Sequence, residues 1–252
     1  MRYIDMQPLG DQAIIVKLGE EADEETRRRI IALIADLEQR PFAGLVEAVP
    51  GHTTVTIYYD LLQLASTMHE YGDGVSRYTS IKNILHQRIG LIDERVTIPS
   101  REIEIPICYG GRFGPDLDRV AQHNGLSTAE VVQIHSAGTY IVYMMGFAPG
   151  FPYLSGMDPR IALPRRATPR LKTPAGSVGI AGGQTGIYPL ETPGGWNLIG
   201  RTPLAMFIPD RHPPSLLQAG DRIRFYPISE AEYRAQQTVY GSEDSSIGCE
   251  RV

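Results

Sequence analysis

A cluster of basic residues is the feature of this sequence that most directly suggests chemistry. Residues 159–190 contain Arg160, Arg165, Arg166, Arg170 and Lys172 but no acidic residue, although the whole chain carries a net charge of −5. A local excess of positive charge attracts anions, and the planar guanidinium group is suited to binding a carboxylate or phosphate through two hydrogen bonds. The segment predicts either a site for an anionic substrate or a docking surface for an acidic partner.

His135 is a second candidate for chemistry. It lies near the end of a predicted helix and just before the Ser136-Ala137-Gly138 turn. An imidazole, whose ordinary pKa is near neutrality, could act there as a general acid or base. The alternative is a structural one, in which the histidine interacts favourably with the C-terminal end of the helix dipole.

The glycine-rich run 179–186 is a third candidate. Its backbone amides could bind an anion, and the side chains of Gln184 and Thr185 could hydrogen-bond a substrate amide. No Gly-Lys-Ser/Thr follows, so the run is not a nucleotide-binding P-loop. A glycine-rich hairpin corner is the alternative interpretation.

These candidates lie in or near a segment of unusual composition. Residues 146–203 contain eleven glycines and nine prolines, interleaved with apolar and aromatic residues. This mixture predicts a compact β structure with many turns rather than a disordered linker. Trp196, the single tryptophan, either walls a pocket there or packs into a core.

The wider pattern predicts two domains. The chain of 252 residues is long enough for two hydrophobic cores. The alternation of predicted strands and helices becomes less regular near residue 90. We expect a small α+β domain over 1–90 and a β-rich domain over 91–252. Asp23 should open a helix in the first domain, and capping boxes at Ser127 and Ser229 should open helices in the second.

Composition also excludes several classes of protein. The net negative charge argues against a general nucleic-acid binder. No apolar stretch is long enough to span a bilayer, and the first residues lack the blocks of a signal peptide, so we expect no membrane association and a cytoplasmic protein. The six histidines and two cysteines lack the spacing of metal ligands, which predicts no bound metal.

Several long phrases of the second domain closely resemble the family formed by the B subunits of 5-oxoprolinase, which also includes the KipI-type kinase inhibitors and allophanate hydrolase subunit 1. The matching phrases, in chain order, are residues 146–156, 163–170, 174–182, 184–189 and 192–203. The chain departs from the family pattern at Thr173, where an apolar residue is expected.

The resemblance implies a fold and an activity. It implies an α+β N-terminal domain followed by a cyclophilin-like β-barrel C-terminal domain. It also implies one subunit of an ATP-dependent 5-oxoprolinase, which works with the A and C subunits to open 5-oxo-L-proline to L-glutamate. ATP would be used by another subunit, so this chain is expected to bind no cofactor and to be inactive alone.

The resemblance also suggests the site residues. His135 is the candidate for proton transfer, and Gln184 is the candidate for polarising the lactam carbonyl. Arg166 and Arg170 are expected to hold the carboxylate of 5-oxoproline or of an activated phosphorylated form. The other residues expected around the cleft are Phe147, Pro149, Gly150, Thr185, Tyr188, Trp196 and Arg201.

Three other functions remain open from the sequence. The chain could inhibit a sensor histidine kinase of the sporulation type, as KipI-type proteins do. It could be a carboxyltransferase-type subunit that acts on a urea-like amide. A prolyl isomerase is suggested only by the expected cyclophilin-like barrel, and a fold does not determine function.

Overall fold

The computed structural model describes residues 4–21, 23–67, 76–91 and 100–241. The chain divides into two compact units, Met1–Pro99 and Ser100–Val252. The boundary predicted after residue 90 falls within a helix of the first unit that ends at Leu91.

The first unit combines a four-stranded sheet with helices, so its mixed α/β content is as expected. The sheet is antiparallel with the order β1-β2-β4-β3. Its strands are β1 (Asp5–Pro8), β2 (Ala13–Lys17), β3 (Leu45–Pro50) and β4 (Thr54–Tyr59), and its helices are α1 (Glu24–Gln39), α2 (Leu61–Thr67) and α3 (Arg77–Leu91). Ile30, Leu33 and Leu37 lie at helical spacing on α1 and are buried in one core with the sheet.

The second unit is built on a closed barrel of seven strands, which confirms the prediction of a β-barrel. The barrel strands are β5 (Glu102–Tyr109), β6 (Thr139–Met145), β7 (Pro152–Ser155), β9 (Ser177–Ala181), β10 (Gln184–Ile187), β12 (Asn197–Arg201) and β13 (Arg222–Pro227). Their order is β10-β7-β6-β13-β5-β12-β9. A separate two-stranded sheet pairs β8 (Arg170–Thr173) with β11 (Thr192–Gly194).

Three α-helices accompany the barrel over residues 100–241, and two of them begin where the capping residues predicted. The helices are α4 (Leu117–His123), α5 (Thr128–Ala137) and α6 (Glu230–Gly241). Ser127 and Glu130 form the expected reciprocal capping box of α5, and Ser229 and Glu232 form the same arrangement before α6. Within the described residues, no helix has both the length and the apolar character needed to cross a membrane.

The capping box of α5 gives a direct test of the local fold. Ser127→Ala removes the Oγ that accepts a hydrogen bond from the backbone N–H of Glu130. We expect the free energy of unfolding to fall by about 1 kcal/mol. The measurement is urea denaturation followed by tryptophan fluorescence, because the single tryptophan lies in the second unit.

Ser136→Ala is the matched control, because Ser136 lies on the same helix but its hydroxyl donates to the carbonyl of Gln133 instead of capping an N–H. Equal losses in the two variants would show that the capping box does not stabilise this helix.

Candidate functional site

Aromatic side chains form a cluster on the outer face of the barrel wall. This aromatic cluster consists of Phe147, Phe151, Tyr153, Tyr188 and Trp196. The ring of Phe151 lies at its centre, 5.3 Å from the ring of Tyr188 and 5.5 Å from that of Trp196, with both pairs nearly perpendicular. Edge-to-face contacts of this kind stabilise each pair by about 1 kcal/mol beyond burial alone.

Glycines on two neighbouring strands make room for this cluster. Gly179 on β9 lies opposite Gly186 on β10 in the sheet register. A Cβ atom on Gly186 would lie 3.1 Å from both Phe151 and Trp196, and one on Gly179 would lie 2.9 Å from the Cβ of Trp196. The indole therefore rests directly on the backbone. The glycine-rich run is a hairpin, as the alternative interpretation held.

The exposed edge of the cluster is formed by the loop between β6 and β7. Phe147 is 63% exposed and has a φ of 70°, in the left-handed region that a bulky side chain rarely occupies. Such a conformation costs on the order of 1–3 kcal/mol. Pro149 is exposed beside it, whereas Gly150 is buried with a φ of 79° and closely approaches Met206 and Phe207.

Gln184 lies at another edge of the same face. Its Nε2 donates a hydrogen bond of 2.6 Å to the hydroxyl of Tyr143, and the ring of Tyr143 lies 6.2 Å from that of Tyr153 in the cluster. Burial, assisted by the neighbouring Tyr153, raises the pKa of Tyr143 to about 12. The phenol is therefore neutral at physiological pH, and Gln184 is held by an uncharged partner.

Arg166 and Arg170 converge on one buried carboxylate. Nη1 of Arg166 and Nη2 of Arg170 each lie 2.8 Å from Oδ1 of Asp116. The other oxygen, Oδ2, accepts a hydrogen bond of 2.7 Å from the backbone N–H of Leu198. Sequence reasoning missed Asp116, which lies just before α4 at a position typical of a helix cap but makes no side-chain cap hydrogen bond.

Two more basic residues of the segment pair with acidic residues, which reduces the excess of positive charge that the sequence predicted. Arg160 pairs with Asp158 and Lys172 pairs with Glu191, two acidic residues that flank the segment. The guanidinium of Arg165 lies over the indole of Trp196, 6.0 Å from the ring centroid. Four of the five cations thus have an acidic partner, so the local positive charge is smaller than the segment alone indicates.

The arginines and the aromatic cluster adjoin each other. The backbone N–H of Arg166 donates to the carbonyl of Gly195, next to Trp196. Burial raises the pKa of Tyr188, while a hydrogen bond from the backbone N–H of Trp196 and the positive charges of Arg165 and Arg170 oppose that rise. The electrostatic field of the arginines therefore reaches the phenol of Tyr188.

His135 lies on the opposite side of the wall, in the barrel core. The residue has no exposed surface, and its ring stacks 4.7 Å from that of Phe225. Nδ1 lies 2.8 Å from the hydroxyl of Tyr109, and Nε2 lies 3.1 Å from the hydroxyl of Thr185. Both ring nitrogens are therefore occupied by protein groups.

The hydrogen bonds around His135 define its tautomer. The hydroxyl of Thr185 donates its single proton to the carbonyl of Gly179 at 3.0 Å, so its oxygen accepts from Nε2–H of His135. Nδ1 is then the acceptor of the Tyr109 hydroxyl proton. Burial lowers the pKa of His135 to about 3, and the imidazole stays neutral near pH 7.

The structure therefore separates the predicted site residues into three groups. On the outer side lie Gln184, Phe147, Pro149, Arg166 and Arg170, which are exposed or half-buried, and Gly150, Tyr188 and Trp196, which are buried. Trp196 thus packs into a core, as one of its two alternatives held. His135 and Thr185 face the core across β10. Arg201 lies at the other end of β12, where its Nε donates to the carbonyl of Ala175 at 2.6 Å.

Two further observations bear on the chemistry. Thr173, where the family pattern led us to expect an apolar residue, is buried, and its hydroxyl has no hydrogen-bond partner in the described part of the chain. Across residues 4–21, 23–67, 76–91 and 100–241, no group of three or more His, Cys, Asp or Glu residues is arranged to hold a metal ion.

Comparison with known proteins gives clear matches. Residues 4–217 match the family model described as carboxyltransferase domain, subdomain C and D. The chain is 48% identical over 236 residues to the B subunit of 5-oxoprolinase from Bacillus subtilis (strain 168), and the match covers 93% of this chain and 97% of that protein.

Two solved structures extend the comparison. The crystal structure of TTHA0988 is 37% identical, with a TM-score of 0.71 over 86% of this chain and 40% of that one. The urea amidolyase of K. lactis is 24% identical, with a TM-score of 0.74 over 93% of this chain and 15% of that one. This chain thus spans less than half of either solved chain, and the second likeness shows the fold alone.

The buried neutral His135 predicts a pH dependence of stability. Its pKa in the folded chain is about 3, below the ordinary value of 6.5, so at intermediate pH the unfolded state binds a proton that the folded state does not. The free energy of unfolding should fall as the pH decreases from about 6.5 towards 3, by at most about 1.4 kcal/mol per pH unit from this group.

The measurement is urea denaturation at a series of pH values for the wild type and for His135→Gln, whose slope in this window should be smaller. His123→Gln, which removes an exposed histidine from the same unit, should keep the wild-type slope. Identical slopes for all three proteins would show that His135 is not held neutral by burial.

Proposed function

The chain belongs to the carboxyltransferase domain family, subdomain C and D, and we propose that it is the B subunit of a 5-oxoprolinase, which hydrolyses 5-oxo-L-proline to L-glutamate. The observation that carries this proposal is the 48% identity to a protein of that name, sustained over 97% of that protein's length. An identity of this extent covers both units of this chain.

A division of labour among subunits is part of the proposal. This chain acts with the A and C subunits, and ATP is used by another subunit. In support, the glycine-rich run 179–186 is not followed by the Gly-Lys-Ser/Thr of a P-loop. The isolated chain does not hydrolyse 5-oxo-L-proline. Its barrel is of the cyclophilin-like type.

The outer face of the barrel suits a small cyclic amide that carries a carboxylate. The exposed ring of Phe147 packs against the substrate ring, and Arg166 and Arg170 bind the carboxylate. When the lactam opens, water adds its oxygen to the carbonyl carbon, the C–N bond breaks and the nitrogen takes up a proton. Negative charge develops on the carbonyl oxygen in this step.

Gln184 supplies a donor for that developing charge. Its Nε2 carries two hydrogens, of which one is donated to Tyr143, and the second is directed to the carbonyl oxygen of the substrate. We assign His135 a positioning role instead of proton transfer, because it holds Thr185, the neighbour of Gln184 on β10, from inside the barrel. Gly150 and Pro149 shape the loop that presents Phe147.

The function is tested with the complex reconstituted from this chain and the A and C subunits. We expect ATP hydrolysis that depends on 5-oxo-L-proline, and its loss when any component is omitted in turn. Production of L-glutamate is measured in parallel. ATP hydrolysis that responds to urea but not to 5-oxo-L-proline would contradict the proposed substrate.

The role of Gln184 is tested in the same assay. Gln184→Ala removes the donor to the carbonyl oxygen, and we expect kcat to fall about 100-fold, since that donor acts chiefly in the transition state. Gln133→Ala, an exposed glutamine on α5, is the control and should retain wild-type turnover. An unchanged kcat for Gln184→Ala would remove this residue from the mechanism.

A further inference from the structure

The carboxylate of Asp116 organises the two arginines of the candidate site. The residue is 3% exposed, and its side chain accepts three hydrogen bonds, from Arg166, Arg170 and the N–H of Leu198. Charge-assisted bonds of this kind are stronger than neutral ones. The two guanidinium groups are therefore fixed around one oxygen and to strand β12.

The charges in this group do not balance. Two guanidiniums share one carboxylate, which leaves one net positive charge. The side chains of Arg166 and Arg170 are 29% and 23% exposed, whereas that of Asp116 is 5% exposed. The excess charge thus lies on the solvent side of the group, where an anion can approach it.

The hydrogen-bond donors also exceed the acceptors. Nε of Arg166 and Nη1 of Arg170 are buried and have no partner in the part of the chain that the structure describes. Buried donors without an acceptor are costly. A further acceptor group, brought by a ligand, would reduce this imbalance.

The group lies beside the aromatic cluster, whose exposed member is Phe147. Arg170 on β8 lies opposite Gly194 on β11, and the backbone N–H of Arg166 donates a hydrogen bond to the carbonyl of Gly195. Trp196 follows directly in the chain. A carboxylate at the arginines would therefore place an attached ring near the aromatic cluster.

We propose that Asp116 is a positioning residue, which presents Arg166 and Arg170 as a receptor for a singly charged carboxylate on a small ring. This inference rests on the proposed function, and names the feature of the substrate that the site selects. One net positive charge is neutralised by one carboxylate, whereas a doubly charged phosphate would leave an uncompensated negative charge. Asp116 acts through the arginines and does not touch the substrate.

The first unit contains a matched control. Asp36 is also buried and also pairs with two arginines, Arg40 and Arg88. The side chain of Arg40 is 68% exposed, so its charge lies largely in water. Asp36→Asn therefore removes a similar ionic group from a different unit.

The experiment measures selectivity for the carboxylate in the reconstituted complex. KM and kcat are measured for 5-oxo-L-proline, and the inhibition constant is measured for 2-pyrrolidinone, the same ring without the carboxylate. For Asp116→Asn we expect KM to rise about 10- to 100-fold, as for the loss of charge-assisted bonds, with a smaller change in kcat and no change in the inhibition constant. Asp116→Glu should recover part of the lost affinity, and Asp36→Asn should keep the wild-type KM.

A general loss of structure would weaken the binding of both ligands alike, so equal changes for 5-oxo-L-proline and 2-pyrrolidinone, or an unchanged KM, would overturn the inference.

If Asp116→Asn fails to assemble, Arg170→Lys decides, because it keeps the charge but removes the planar fork. The same KM-selective loss supports the inference, and a wild-type KM contradicts it. A wild-type complex without activity towards 5-oxo-L-proline would refute the proposed function itself, whereas an active complex with no change in KM would refute the role of Asp116 alone.

Discussion

The second unit depends on a buried ionic group centred on Asp116. Removing a carboxylate from water is unfavourable unless strong hydrogen bonds replace those of the solvent. Here the replacement comes from parts of the chain that are distant in sequence: Arg166 before β8, Arg170 within β8 and the N–H of Leu198 in β12. Because the carboxylate lies at the start of α4, the same group also connects that helix to the barrel. The arginines are consequently fixed in place before any ligand arrives.

Strand β10 shows how the fold separates structural from chemical roles. Successive side chains of a strand point to opposite faces, so Thr185 and Ile187 face the core while Gln184 and Gly186 face outwards. The hydrogen bonds from Tyr109 through His135 to Thr185 stabilise the inner face with neutral groups only. A charged imidazole would be strongly disfavoured there, so this buried histidine contributes a neutral hydrogen-bonding group to the wall.

Local patterns in the sequence predicted local structure well. Contacts between residues far apart in the chain could not be predicted from such patterns. The capping box at Ser127 and the glycine hairpin at 179–186 depend on neighbouring residues, and both are present in the structure. The net charge around residues 159–190 is not predictable from the segment alone, because Asp116 lies 50 residues before Arg166 and is its partner only in the folded chain. His135 was equally ambiguous, since its position at a helix end does not reveal that the barrel core surrounds it. Two glycines opposite each other in a hairpin leave space above the sheet, so Gly179 and Gly186 were a signal in the sequence for a bulky side chain packed there, which is Trp196.

The outer face carries structural costs that the core does not. Phe147 has a strained backbone conformation, and two arginine donors are buried without acceptors in the described part of the chain. In contrast, the core around His135 satisfies the nitrogen atoms and hydroxyl groups of its central hydrogen-bond chain. Natural proteins tend to accept such local costs at functional sites and to compensate them elsewhere. Phe147 contacts the aromatic cluster directly, and Arg166 and Arg170 adjoin it through Gly195 and Gly194, so both costs lie close to the residues to which the proposed function assigns the substrate.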